Sequence, residues 1–101
     1  MVYLTRTALV KESKWKEAIE FAVKSIEYIN NDPLVIKSEI LHGINGDFNR
    51  IYFVAGFNSL ADEEKWAEKT ASDPKYQAML EEDFELFVEN TSVDNLYRSL
   101  S

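Results

Sequence analysis

Two apolar segments that flank an Asn-Gly pair constrain the fold of this chain more than any other feature. Residues 34–43 and 48–57 are rich in Ile, Leu, Val and Phe, and Asn45-Gly46 lies in the short gap between them. Such a pair between two extended segments is the strongest short-range signal of a β-hairpin, because both residues tolerate the positive φ angles of a tight turn. The sequence therefore predicts an antiparallel strand pair.

The turn also predicts which residues of the hairpin face each other. With Asn45 and Gly46 at its centre, Ile40 is expected opposite Ile51 and Ser38 opposite Phe53. Side chains alternate between the two faces of a strand. The more apolar face, expected against the helices, carries Ile36, Ser38, Ile40, His42, Asn49, Ile51, Phe53 and Ala55. The mixed face carries Lys37, Glu39, Leu41, Arg50, Tyr52 and Val54.

Hydrophobic periodicity predicts the first strand and the first helix. Residues 2–10 alternate loosely and favour a strand, but the pattern leaves open which of its faces meets the helices. Apolar residues then recur at the i, i+3, i+4 spacing of an amphipathic helix over about 14–30. Ser13 is the predicted N-cap of that helix.

The C-terminal half predicts a second helix in two pieces and a last strand. Ser59 begins a capping-box pattern, which predicts a helix over about 60–71. Ser72-Asp73-Pro74 interrupts it, because proline suits the first turn of a helix and not its interior. The second piece is expected to run to about residue 90, followed by a strand over 93–100.

This order of elements indicates an α+β, ferredoxin-like fold of the βαββαβ type. A chain of 101 residues suits one domain, which covers 1–101. Right-handed crossovers give a two-layer sandwich whose four-stranded antiparallel sheet has the order 4-1-3-2, with the helices on one face. The other sheet face is left uncovered.

Charge and composition exclude several functions. The net charge of -7 argues against nucleic acids and anionic membrane surfaces as partners. The chain has no cysteine, which excludes disulfides and thiolate metal sites. No apolar run is long enough to span a membrane, and the N-terminus lacks a signal-peptide pattern, so the expected location is cytoplasmic.

Aromatic side chains are more numerous than a minimal core requires. Six Phe, five Tyr and two Trp indicate a second buried surface, either a ligand pocket or an interface. The sheet face away from the helices carries Leu41, Tyr52 and Val54, with Tyr3 or Leu4 from the first strand. Pairing two such sheets face to face would bury these side chains, so we expect a homodimer.

Residues 48–80 resemble part of a known superfamily. The segment Ile51-Tyr52-Phe53-Val54-Ala55-Gly56-Phe57-Asn58-Ser59-Leu60 leads into a helix carrying Trp66, followed by Ser72-Asp73-Pro74 and Tyr76. This phrase is similar to that of dimeric α+β barrel proteins, in particular the antibiotic-biosynthesis-monooxygenase-like and NIPSNAP-like groups. The resemblance implies a dimer with a pocket between helices and sheet. It fixes no activity, since members include monooxygenases, haem-degrading enzymes and isomerases.

The haem-degrading branch of that superfamily is disfavoured. Its pattern has an Asn in the first strand, a helical Trp and a haem-ligating His after the break. Trp66 matches, but the first strand has no Asn, and the His position falls near Met79. We therefore expect no haem or other cofactor. No metal site is expected either, and the acidic segment Asp62-Glu63-Glu64 is predicted to be a solvated helix face.

Several side chains are candidates for a site, each with a structural alternative. His42, the only histidine, is a candidate general base, or else a strand-end residue bonded to a neighbour such as Asn49. The expected ligand-binding residues are Trp66, Tyr76, Phe53, Ile40, Phe21, Arg6 and Arg98. The alternative is a core role for the apolar members of this set and, for Tyr76, a place on the helix stripe with its hydroxyl at the rim.

The two arginines of that set each require an anion. Arg6 and Arg98 belong to strands that are neighbours in the predicted sheet. The anion is either a ligand carboxylate or an internal partner such as Asp83 or Glu39.

These observations favour a small-molecule binding protein that holds an apolar, fatty-acid-like or polyketide-like ligand between helices and sheet. The alternative is a cofactor-independent monooxygenase-like enzyme that acts on a similar substrate. A purely structural dimer is a third interpretation. The sequence leaves open whether any reaction is catalysed.

Overall fold

The computed structural model describes residues 1–46, 48–81 and 85–100. Its elements are β1 (Val2–Leu9), α1 (Trp15–Asn30), β2 (Lys37–His42), β3 (Arg50–Phe57), α2 (Leu60–Ala71), α3 (Pro74–Glu81) and β4 (Val93–Arg98). The described strands form one antiparallel sheet in the order β2-β3-β1-β4. The α+β, ferredoxin-like fold and the strand order predicted from the sequence are confirmed.

The register of the hairpin differs from the prediction by two residues. Ile40 lies opposite Phe53 and not Ile51, and Ser38 lies opposite Ala55. Because the shift is an even number of residues, every side chain stays on its predicted face. Ile40 and Phe53 accordingly pack against the buried core.

The turn itself explains this difference. A two-residue turn of the Asn-Gly type needs a positive φ at both central positions. Gly46 has one, at 81°, whereas Asn45 does not. The connection is therefore longer than two residues, with β2 ending at His42 and β3 beginning at Arg50. Asp47 lies outside the described residues.

The starts of the two long helices differ in how well the sequence predicted them. Ser59 caps α2 as expected, since its hydroxyl accepts a hydrogen bond of 3.2 Å from the backbone N–H of Asp62. In contrast, α1 begins at Trp15 with Lys14 at the N-cap position and no side-chain cap. Ser13 has a φ of 70°, which is outside the extended region that an N-cap residue occupies.

The second helical piece ends earlier than predicted. α3 stops at Glu81 and does not continue to about residue 90. Phe87 instead forms an antiparallel bridge with Val10, just beyond the end of β1. Backbone hydrogen bonds of 2.8 and 2.9 Å flank this bridge, so the chain here is extended. Asp83 lies outside the described residues.

The helix-facing side of the sheet is built from alternate residues of β1 and β3. Val2 and Ala8 are buried, and their cross-strand partners Phe57 and Ile51 are completely enclosed. The face of β1 that meets the helices, left open by the sequence, therefore carries Val2, Leu4, Arg6 and Ala8.

The opposite face of the sheet, here called the free face, has no cover from the described part of the chain. It includes Tyr3, which lies between Gly56 and Tyr97 in the register. Leu41 and Val93 on the same face remain about half exposed, as does Tyr97. This apolar character is what the sequence predicted for the face.

Candidate functional site

A small cavity lies between the helices and the sheet. Five of the predicted ligand-binding residues line it, namely Arg6, Phe21, Phe53, Trp66 and Tyr76. Further residues of α1, β1, β3 and α3 complete the wall. About 40 Å³ is open to the centres of water molecules, within a cleft of about 510 Å³ that includes space open to solvent. One water needs roughly 10–15 Å³ of volume open to its centre. This volume has room for a few waters, and a larger ligand must also use the part of the cleft that is open to solvent.

Trp66 carries the unsatisfied polar group of this cavity. It lies on the buried stripe of α2 and is 5% exposed. Its ring centroid is 5.6 Å from that of Phe57 and 6.3 Å from that of Tyr76. The indole N–H finds no hydrogen-bond acceptor among the described residues. A buried donor left in this state costs about 1–3 kcal/mol, so a ligand oxygen placed here would recover that free energy.

Tyr76 links the cavity to a hydrogen bond at the break between α2 and α3. Its ring stacks on Tyr28 of α1, with centroids 5.0 Å apart and an interplanar angle of 19°. The hydroxyl of Tyr28 donates to the carboxylate of Asp73. Partial burial, followed by this bond, raises the pKa of Tyr28 to about 12, and the bond lowers the pKa of Asp73. The contact thus fixes where α3 begins.

Arg6 is paired within the protein. Its Nε and Nη2 donate to the two carboxylate oxygens of Asp94 at 2.7 and 2.8 Å. The two residues face each other directly across β1 and β4. This bond raises the pKa of Arg6, against the opposing effect of burial. The internal partner is therefore Asp94 and not Glu39, which lies on the free face beside Val54.

His42 lies outside the cavity. Its Nε2 is hydrogen-bonded to the carbonyl oxygen of Phe48 at 2.6 Å, and its ring lies against Trp15 with centroids 4.5 Å apart. His42 is therefore a strand-end residue bonded to a neighbour, which was the structural alternative, and its partner is Phe48 and not Asn49. The contacts join β2 to the hairpin loop and to the start of α1, away from the residues that line the cavity.

Ile40 and Arg98 also lie outside the cavity. Ile40 packs at the edge of the core cluster. Arg98 faces the helix side opposite Val2, but it is exposed near the end of β4. Of the two arginines, only Arg6 belongs to the cavity among the residues described.

Three polar residues were missed or misjudged at the level of sequence. Asp94 becomes visible only through the register of β1 and β4, and Tyr28 stands at the flank of the apolar stripe of α1. Glu63 lies in an acidic segment predicted to be solvated, yet it is 8% exposed. Burial, and then the neighbouring Glu64, raise the pKa of Glu63.

Metal binding and membrane crossing find no support in the described ranges. No group of three or more His, Asp or Glu side chains there is arranged to hold a metal ion. None of the helices in those ranges combines the length and apolarity that crossing a bilayer requires.

Comparison with known proteins identifies relatives in structure but not in sequence. No family model matches the chain, and no curated protein matches it either. A NIPSNAP domain protein from Burkholderia xenovorans superimposes with a TM-score of 0.83 at 14% identity, covering 100% of this chain and 96% of that one. An antibiotic biosynthesis monooxygenase-like protein from Nitrosomonas europaea gives 0.80 at 17% identity, with full coverage of both.

A third solved structure has a named activity. SnoaB, a cofactor-independent oxygenase from Streptomyces nogalater, superimposes with a TM-score of 0.77 at 13% identity, covering 99% of this chain and 93% of that one. At such identities the likeness establishes the fold. The chain therefore has the ferredoxin-like α+β fold of antibiotic-biosynthesis-monooxygenase-like and NIPSNAP domain proteins, as the resemblance of residues 48–80 predicted.

Proposed function

We propose that this chain binds a small apolar molecule between its helices and sheet, with the Trp66 indole N–H as the hydrogen-bond donor to the ligand. The observation that carries the proposal is that this N–H is buried, belongs to a residue of the cavity wall, and has no acceptor among the described residues. Mostly apolar walls with one or two directed polar groups are typical of small-molecule sites.

The size of the cavity sets a condition on this function. Ligand sites usually measure about 300–1,000 Å³, far more than the 40 Å³ that is open to the centres of water molecules here. α3 supplies Tyr76 and Leu80 to the wall. It is held on α1 by the stacking of Tyr28 on Tyr76 and by the bond from Tyr28 to Asp73. A shift of α3 about the Ser72-Asp73-Pro74 break would widen the cavity.

The proposed active form is a homodimer. The free face carries Leu41, Val93 and Tyr97, each about half exposed. Apolar side chains at this density on one face of a sheet favour burial against a partner. A second copy of the chain presents the same surface, and two such sheets pack well face to face.

The indole N–H provides a direct test of ligand binding. The chain has two tryptophans, Trp15 and Trp66, so a ¹H–¹⁵N spectrum has two indole signals. Adding a flat apolar ketone such as 2-acetylnaphthalene should move the Trp66 signal downfield and leave the Trp15 signal in place. Trp66→Phe should weaken binding about threefold to tenfold, the value of one hydrogen bond. Equal movement of both signals, or unchanged affinity of the variant, would refute the proposal.

A second candidate function is cofactor-independent oxygenation of a ligand bound at the same place. It is favoured by the fold shared with SnoaB and by the edge contact of Trp66 with Tyr76 at the cavity, 6.3 Å between centroids. Oxygen uptake with an aromatic hydroxyketone decides it. Turnover that falls at least about tenfold in Trp66→Phe and is unchanged in Trp15→Phe would support it. If the protein binds the ligand but takes up no oxygen, ligand binding is the only one of the two functions that remains.

A further inference from the structure

We infer that Asp94 makes the site selective for uncharged ligands, because its carboxylate neutralises the cationic side chain that lines the cavity. This inference rests on the proposed function and names the chemical class of ligand. Of the two ligand classes suggested by the sequence, it favours uncharged polyketide-like molecules, such as ketones, over fatty acids.

The first step is the geometry of the pair. Arg6 and Asp94 are directly opposite in the sheet, and two parallel hydrogen bonds of 2.7 and 2.8 Å join them. Two-bond pairs of this kind are among the strongest side-chain hydrogen bonds. The side chains are 37% and 45% exposed, so the pair lies where the cleft meets solvent.

The second step is the charge that a ligand meets. Among the described residues of the cavity wall, Arg6 is the charged one, and Asp94 cancels its charge. A ligand carboxylate would have to replace Asp94 on the guanidinium or lie beside it, and like charges that close repel each other. The net charge of -7 adds to that repulsion.

The third step is the hydrogen-bond donor that Trp66 brings to the cavity wall. The Trp66 N–H is neutral and without an acceptor among the described residues. A carbonyl or ether oxygen satisfies it without bringing a charge into an apolar space, whereas burying an unpaired carboxylate is costly. The paired Arg6 and the Trp66 N–H therefore favour the same ligand class.

A matched ligand pair tests this selectivity by titration calorimetry. The probes are 2-acetylnaphthalene and 2-naphthoate, which differ chiefly in charge. The wild-type chain should bind the ketone at least about tenfold more tightly. Asp94→Asn should tighten binding of the carboxylate by about tenfold or more, since it leaves Arg6 without its anion.

Two further variants separate charge from shape. Arg6→Gln combined with Asp94→Asn removes both charges and should again prefer the ketone. Glu20→Gln, an exposed position of α1, makes the same change in net charge as Asp94→Asn and should behave as the wild type does. Equal affinity of the wild type for both probes, or an unchanged ratio in Asp94→Asn, would overturn the selectivity while leaving ligand binding intact. Failure of every variant to bind either probe would overturn the proposed function as well.

Discussion

The hydroxyl of Tyr28 donates a hydrogen bond to the carboxylate of Asp73, and this contact fastens α1 to the break between α2 and α3. The same tyrosine stacks on Tyr76, so one side chain holds both the start of α3 and a residue of the cavity wall. The position of α3 therefore depends on a partly buried hydrogen bond as well as on core packing.

Replacing Tyr28 with Phe should loosen α3 and alter the response to acid. The bond lowers the pKa of Asp73, so it contributes stability above the pKa of the unfolded chain, and that contribution is lost as the pH falls. The wild type should be more stable than Tyr28→Phe at about pH 6, and the difference should shrink towards pH 3. Urea unfolding at the two pH values measures it.

The matched control for this variant is Tyr97→Phe, which removes a tyrosine hydroxyl on the free face of the sheet, on the side away from the helices and Asp73. It should show no pH-dependent difference from the wild type. If the difference in unfolding free energy between Tyr28→Phe and the wild type is the same at both pH values, the role assigned to the bond is contradicted.

Glu63→Gln should stabilise the chain increasingly as the pH rises. Burial raises the pKa of Glu63, so the folded state holds that proton more tightly than the unfolded chain does. Stability from this group is present below its ordinary pKa and is lost as the pH rises through the raised value. The unfolding temperature of the variant, relative to that of the wild type, should be higher at about pH 7 than at about pH 4.

The comparison for that prediction is Glu68→Gln. Glu68 is on the same helix and exposed, whereas Glu63 is 8% exposed. If both variants change the unfolding temperature equally at the two pH values, burial of Glu63 is not the cause.

A charge on the free face should break the proposed dimer. Leu41 is 45% exposed on this face, and Val23 is 49% exposed on α1, on the other side of the molecule. Light scattering should give twice the chain mass for the wild type and for Val23→Glu, and a lower mass for Leu41→Glu. A wild-type chain that is monomeric at high concentration would sink the prediction, and so would equal masses for the two variants.

The hairpin loop should tolerate change at Asn45 better than at Gly46. Gly46 has a φ of 81°, where any side chain costs roughly 1–2 kcal/mol, while Asn45 is not in that region. Gly46→Ala should therefore lower the free energy of unfolding by about that amount, and Asn45→Ala by clearly less. Equal losses in chemical denaturation would instead indicate the two-residue turn predicted from the sequence.

What the sequence could and could not predict follows from the range of the interactions involved. The cap at Ser59 and the break at Pro74 are local, and both were correct. The pairing of Ile40 was wrong because the pattern does not reveal that, of Asn45 and Gly46, only Gly46 takes a positive φ. The alternation of side chains still predicted which face each residue lies on, because a register shift of an even number of residues does not change the face.

The lining of the cavity was predicted only in part, for a similar reason. The apolar residues of the cavity follow from periodicity, which is why Phe21, Phe53 and Trp66 were found. The polar contacts depend on partners distant in the chain. Asp94 is 88 positions from Arg6, and a partner at that distance is defined by the register of β1 and β4, which no local pattern encodes.

β1 occupies an interior position in the sheet although it is the first strand of the chain. It pairs with β3 on one side and with β4 on the other, and the Ser99 N–H donates to the Met1 carbonyl at 2.9 Å. Contacts between such distant segments close large loops, which slows folding. During synthesis on the ribosome, one edge of β1 must therefore stay unpaired until β4 has emerged.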